Sequence, residues 1–348
     1  MRKREIWVDI ARFIGIIGMM LDHTYTITYQ SYGMACVSYY ALGLYILLSG
    51  YNAYQSWSHK PYGLKKVWKK CMAMLVPYTA ATFIYDWVDD YTFSFEEFLF
   101  KWIHFNANMP LYYVFLFIQL IIIGPILCYV VRENSGFVRT ILVLLAVSII
   151  AIPATNCTNI LSIYGAGGKL FGGTLIIFYT LGMYVAKHRD FIDKIGKKTL
   201  VLIPILAVCM VRWVMFITQD QLQIETKSIY HTDLNPAGIS TGLYAILLFT
   251  IILFIDVLFK TMTLPVWVEK IAEFFAYLGR HTIYFFMYHQ LFLYYLHWFL
   301  LRSQLYTKLY ENIVFRCVWL YGIMIAGPLA IEYVLKWAKG HFAKAYVE

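Results

Sequence analysis

Apolar runs of about twenty residues recur along almost the whole chain, and few folds can accommodate them. They fall at about 6–28, 34–57, 71–88, 111–131, 138–156, 170–187, 199–217, 237–259, 276–300 and 313–337. A helix that crosses a bilayer needs roughly 20 mostly apolar residues. Hydrophobic residues make up 61% of the chain and charged residues 14%. A soluble domain cannot hide so large an apolar fraction and still cover itself with polar groups. The sequence therefore predicts an all-α, polytopic membrane helix bundle of about ten transmembrane helices, with residues 1–348 as a single membrane domain.

Lysine and arginine give that bundle a direction, because they collect in cytoplasmic loops. With the N-terminus placed inside, the inside set is Arg2–Arg4, the lysines at 60–70, Arg132 and Arg139, the basic cluster at 187–198, Lys260 and Lys270, and Lys336, Lys339 and Lys344. It holds 20 of the 29 lysines and arginines. The outside set is Lys101, Lys169, Lys227, Arg302, Lys308 and Arg316, and Arg12, Arg212 and Arg280 fall inside runs. The split predicts both termini in the cytoplasm and a multi-pass location in the cell (plasma or inner) membrane, with lipid as the surrounding partner. The formal charge of +9 is accounted for by this sorting, and no nucleic-acid motif accompanies it. No small-residue cleavage site follows the first run, so an uncleaved signal anchor is expected. The six cysteines are scattered without a CxxC pair, which argues against a disulfide framework or a metal cluster.

Charge inside an apolar run is where function concentrates, because each such group carries an insertion penalty of a few kcal/mol. The first run holds Asp9, Arg12, Asp22 and His23. Arg12 and His23 are eleven residues apart, three helical turns plus roughly 20°, so they share a face, with His23 about 16 Å deeper. Asp9 lies one turn before Arg12, within pairing reach. Gly15 and Gly18 thin the helix between them, which allows a neighbour or ligand to approach. Asp22 lies about 100° round the helix from His23 and need not share its cavity. The ninth run carries Arg280, His281, Tyr284, Tyr288, His289 and His297. His289 falls at a depth comparable with His23; it either holds substrate and tunes the first histidine, or packs against a tyrosine or the backbone. The lysines between the second and third runs satisfy the topology rule and also suit an anionic nucleotide carrier. Two outer loops, about 89–110 and 218–236, are acidic, and the first is also aromatic.

Together these features resemble the acyltransferase 3 family of membrane acyl transferases. The resemblance rests on Arg12, ten residues, then His23, preceded by W-V-D; on Y-I-L-L-S-G-Y, ending at Ser49, Gly50 and Tyr51; on K-K-C-M-A-M-L-V-P-Y, ending at Pro77 and Tyr78; and on Leu278, Gly279, Thr282, Tyr288 and His289 in the ninth run. Order, spacing and number of runs agree over nearly the whole chain. One departure stands out. Where the family usually has an Arg-x-x-Arg pair, this chain has Lys66 and Lys69, and lysine meets phosphate as a point charge rather than a bidentate fork.

The resemblance implies transfer of a short acyl group, acetyl or succinyl, from cytoplasmic acyl-CoA to a hydroxyl of a cell-surface or lipid-linked polysaccharide. Acyl-CoA is then a co-substrate, the glycan is the acceptor, and no cofactor is permanently bound. A thioester is already activated, so the enzyme needs a base for the hydroxyl and stabilisation for an oxyanion. His23 is the expected base, helped by Asp22. Arg12 and Arg280 are expected to hold the donor's anionic part at the cytoplasmic mouth, with Lys66, Lys69 and Lys70 on its phosphates. Ser49, Tyr78, Tyr288 and His289 are expected in the binding site, with Trp87 and Trp102 as stacking platforms for sugar. Rival readings are a transporter or flippase of a small anion or glycan, a membrane acyltransferase whose key histidine is the late His289, and a non-catalytic sensor.

Overall fold

The computed structural model describes residues 5–29, 32–58, 63–90, 93–134, 136–156, 160–163, 168–216 and 239–345. The basic triplet Arg2–Arg4, Lys60, Cys157 and the outer loop 218–236 lie outside them. Among the described residues the regular structure is helical and no strand is present. In chain order the helices are α1 (Ile6–Thr24), α2 (Tyr32–Ser38), α3 (Tyr40–Trp57), α4 (Leu64–Asp90), α5 (Phe95–His104), α6 (Tyr112–Glu133), α7 (Phe137–Asn156), α8 (Leu175–Lys187), α9 (Arg189–Asp193), α10 (Thr199–Phe216), α11 (Ile239–Phe259), α12 (Val266–Arg280), α13 (Thr282–Gln290), α14 (His297–Leu300), α15 (Gln304–Tyr310) and α16 (Ile313–Ala345).

The protein is thus an all-α polytopic membrane protein, and the described part of each of the ten apolar runs is mostly helical. Among the described residues, five helical stretches are long and apolar enough to cross a bilayer: Met109–Glu133, Phe137–Asn156, Gly196–Met215, Thr241–Phe259 and Ile313–Trp337. The other runs depart from a plain apolar rod for visible reasons. Helix α1 carries the buried charge described above. Helix α4 opens on lysines and ends on Asp86 and Asp89. Helix α8 is apolar but has only 13 residues. The ninth run differs most from the expected continuous span at 276–300. Its helix begins earlier, at Val266, and breaks at His281, where ψ rises to 8° and the N–H bonds back to Leu278. It resumes as α13, widens into a π-helical turn over Leu291–Leu296 and ends in α14.

Missing side chains set the tightest helix packing. A Cβ on Gly50 of α3 would lie 2.7 Å from the Tyr179 carbonyl carbon of α8, and one on Gly182 would lie 3.0 Å from the Leu47 carbonyl carbon. Only glycine on both sides lets these backbones meet. A Cβ on Gly279 of α12 would lie 2.5 Å from the carbonyl carbon of Asp9 on α1. Helices α2 and α3 run back along α1: Ser38, the last residue of α2, reaches Asp22, and on α3 Tyr40 donates to Ile14 O, Tyr45 to Arg12 O and Tyr51 to Glu5. The outer loop becomes the amphipathic helix α5. Ser94 accepts the Glu97 N–H at its start, and Phe105, with φ of 52°, ends it. The chain then turns back over the bundle through Asn106–Leu111.

Candidate active site

The face of α1 that carries Arg12 and His23 looks into a cavity of about 1160 Å³. Arg12, Ser49 and Arg280 stand toward one end, Asp22, His23, Ser38 and Tyr112 toward the other, and Met74, Asn106 and Asn108 also line the wall. Apolar and aromatic side chains, among them Met19, Leu42, Tyr45, Phe117 and Phe286, line the length between. The end of α2 and helix α3 supply one wall, with Ser38 followed by Leu42, Tyr45 and Ser49 three or four residues apart.

At the first end, Arg12 Nη1 donates to Asp9 Oδ1 at 3.0 Å, so the pair expected from the i, i+3 spacing forms. Arg280 joins it because α12 crosses α1 at Gly279, the adjacent residue. The Arg280 guanidinium also lies 5.8 Å from the Tyr277 ring. Ser49 faces the cavity with its hydroxyl committed to Tyr45 O at 2.7 Å. The expected close approach at Gly15 and Gly18 is taken up by the rings of Tyr45 and Tyr40.

At the second end, His23 and Asp22 both line the cavity, although they point some 100° apart on α1. The cavity wraps that much of the helix, and Ser38 Oγ holds the far side by donating to Asp22 Oδ1 at 3.2 Å. Behind His23 lies His289, whose ring stacks on it with centroids 5.2 Å apart and planes 30° from parallel. His289 is 0% exposed. Its Nδ1 lies 2.8 Å from Phe285 O. A carbonyl only accepts, so Nδ1 carries the proton and Nε2 is an acceptor with no hydrogen-bond partner among the described residues. The sequence left His289 between a substrate role and packing on its own helix; it has the backbone bond and also touches His23.

Each stacked histidine is followed by a widened turn. After His23 the backbone is π-helical over Tyr25–Tyr29, and after His289 over Leu291–Leu296. Such turns release backbone groups and recur at functional sites. Arg316 of α16 donates to the carbonyls of Ile27 and Thr28 in the first.

Several expected site residues stand off the cavity. Tyr78 is buried, with its hydroxyl on Trp102 O at 2.8 Å and its ring stacked on Phe105. Tyr288 is buried and donates to Pro77 O at 3.2 Å. Trp102 donates to Thr79 at 3.0 Å, and Trp87 is exposed beside Phe83. None of these side chains lines the cavity. The lysines also lie outside it: Lys66 and Lys70 sit 3.9 and 4.8 Å from the Trp57 ring, and Lys69 is exposed. Lys66, Lys70 and the cavity residue Met74 nevertheless follow one another at four-residue intervals along α4, so the basic face leads toward the cavity turn by turn. Lys70, just before the apolar run, has its pKa pushed down to about 8 by burial and by the Lys66 charge. Sequence reasoning missed the polar groups of the returning segment, Asn106 and Asn108, and the hydroxyls of Tyr112 and Tyr113.

A family model described as an acyltransferase domain, that of acyltransferase 3, matches residues 5–337. The chain belongs to this family. No curated protein and no solved structure compared with it gives a match. Membership makes the protein a membrane acyltransferase by family, with the Arg12-to-His23 helix inside the matched region.

Proposed function

We propose that this protein moves an acetyl or succinyl group from cytoplasmic acyl-CoA to a hydroxyl of a cell-surface or lipid-linked polysaccharide. The observation that carries the reading is the placing of Arg12, Arg280 and His23 on one cavity, with the two cations together and the imidazole about three turns away along α1. Two guanidiniums at one end suit the anionic donor. Lys66 and Lys70 add positive charge on the α4 face that leads toward the cavity. The uncharged arm of the donor fits the apolar length, which delivers the thioester toward His23.

On this reading the acceptor hydroxyl enters past Asn106 and Asn108. His23 takes its proton as the oxygen attacks the thioester carbon. A C–O bond forms, the C–S bond breaks, and the imidazolium returns the proton to the departing CoA sulfur. A neutral imidazole is ready to accept that proton. Asp22 stands beside it to stabilise the imidazolium, and His289 fixes the ring from behind.

Mass spectrometry of surface glycans from cells with and without the gene reads the acyl group and acceptor together. The expected difference is one acetyl or one succinyl per modified sugar. In the same cells H23A should abolish that difference while the protein is made and folded normally; retained acylation would remove His23 from the reaction. Uptake into vesicles without acyl-CoA would instead mark a transporter.

A further inference from the structure

Tyr85 of α4 touches neither the cavity nor His23, yet its hydroxyl sits inside the backbone ladder of the helix that carries His289. It donates to Met287 O at 3.0 Å and accepts from Leu291 N–H at 3.1 Å. In an unbroken α-helix those two groups would bond to each other. Here the Leu291 N–H also turns to Tyr288 O, and the widened turn begins at once, with His297 N–H reaching five residues back to Phe292 O. His289 lies between the two groups that Tyr85 holds apart. The tyrosine itself is 1% exposed. One turn further along α4, Asp89 accepts from the hydroxyl of Tyr295 inside the same widened turn. Helix α4 thus grips the turn at both ends.

We infer that Tyr85 is a positioning residue for the reaction: its hydroxyl keeps the helix open after His289 and so sets the stacking of His289 on His23. A side chain lodged in a helix ladder is a recognised cause of a local distortion. Without the hydroxyl, Met287 O and Leu291 N–H can close their own bond and regular helix can extend past residue 291. The His289 ring would then turn with its backbone, and His23 would lose the surface it lies against. The inference rests on the proposed role of His23, and Tyr85 acts only through His289.

The test is Y85F in the full-length protein, which keeps the ring and removes one atom. Three readouts apply. Transfer of label from radiolabelled acetyl-CoA or succinyl-CoA into the membrane glycan fraction should fall on the order of 10- to 100-fold in kcat, with KM for the donor within about twofold. In protein carrying 13C-labelled histidine, the His23 and His289 resonances, assigned by their loss in H23N and H289N, should both move while the other histidines stay. The thermal midpoint should hold, since the ladder can heal. Wild-type turnover in Y85F overturns the inference. So do unmoved His23 and His289 resonances accompanied by a lowered midpoint, the pattern of a tyrosine that only packs. Full activity in H23N would defeat the proposed function separately, and the resonances still judge Tyr85 in that case.

Discussion

Replacing Gly279 with alanine tests whether the contact between α12 and α1 assembles the cationic end of the cavity. The added Cβ would lie 2.5 Å from the Asp9 carbonyl carbon and 3.1 Å from its Cα. Carbon atoms settle at about 3.5–4.0 Å, so the helices must part by about 1 Å or more. The obstacle is main chain, and no side-chain rotation relieves it. Parting moves Arg280, the next residue, away from Arg12, which lies one turn from Asp9 on α1. Overpacking of this kind typically costs about 1–3 kcal/mol, and a displacement near 1 Å in a catalytic constellation can reduce turnover about 100-fold. The control is Gly322, also helical, where a Cβ meets nothing within 4 Å. There alanine should be neutral or stabilising by up to about 1 kcal/mol through helix propensity. Thermal unfolding of the purified full chain in detergent, paired with label transfer from acyl-CoA, measures both effects. Wild-type stability and turnover in G279A, or equal damage from G322A, would refute the reasoning.

Two further outcomes follow from the charge clusters. Lys70 is protonated below its pKa of about 8 and neutral above it, so KM for acyl-CoA should rise as pH passes upward through 8. K66Q removes the neighbouring like charge, and should move that transition to higher pH in initial-rate measurements. Beside Trp7, Arg189 is 2% exposed and ion-paired with Asp193 and Asp256. D256A leaves the buried guanidinium with Asp193 but short of one carboxylate, and should destabilise by about 1.5–3 kcal/mol, read as a fall in thermal midpoint with donor KM unchanged in the surviving protein.

The features written locally in the sequence are the ones that could be read from it. The Asp9–Arg12 pair and the common face of Arg12 and His23 are properties of one helix, so 3.6-residue geometry finds them. The apolar runs mark helices because lipid demands internally bonded backbone. What neighbours decide was not legible. Gly15 and Gly18 announce a close approach, but that Tyr45 and Tyr40 fill it depends on the antiparallel course of α3. Asp22 shares the cavity only because Ser38 and the returning outer segment extend the cavity round α1. His23 meets His289 across 266 positions of sequence. Tyr78 and Tyr288 belong to the recognised motifs, yet they pack in the core; a motif records what the fold requires as well as what the chemistry requires. The break at His281 hides inside an apolar run, since hydropathy sums side chains and is blind to backbone angles.

The distribution of charge along the cavity argues for its direction of use. Arg12 and Arg280 stand at one end, with Asp9 paired to Arg12, and the carboxylate of Asp22 stands at the other. An anion entering at the arginines is held there, and moving deeper would bring it toward a like charge through an apolar passage. A neutral thioester arm pays no such penalty. The His23 end offers amides, hydroxyls, an imidazole and a carboxyl group, which suit the neutral hydroxyl-bearing molecule of the proposed function and the proton it would lose. On the proposed function, one cavity would sort its two substrates by charge before any chemistry begins. On that proposal, the side-chain order along α1 puts His23, the expected base, at the end of the cavity that favours a neutral acceptor.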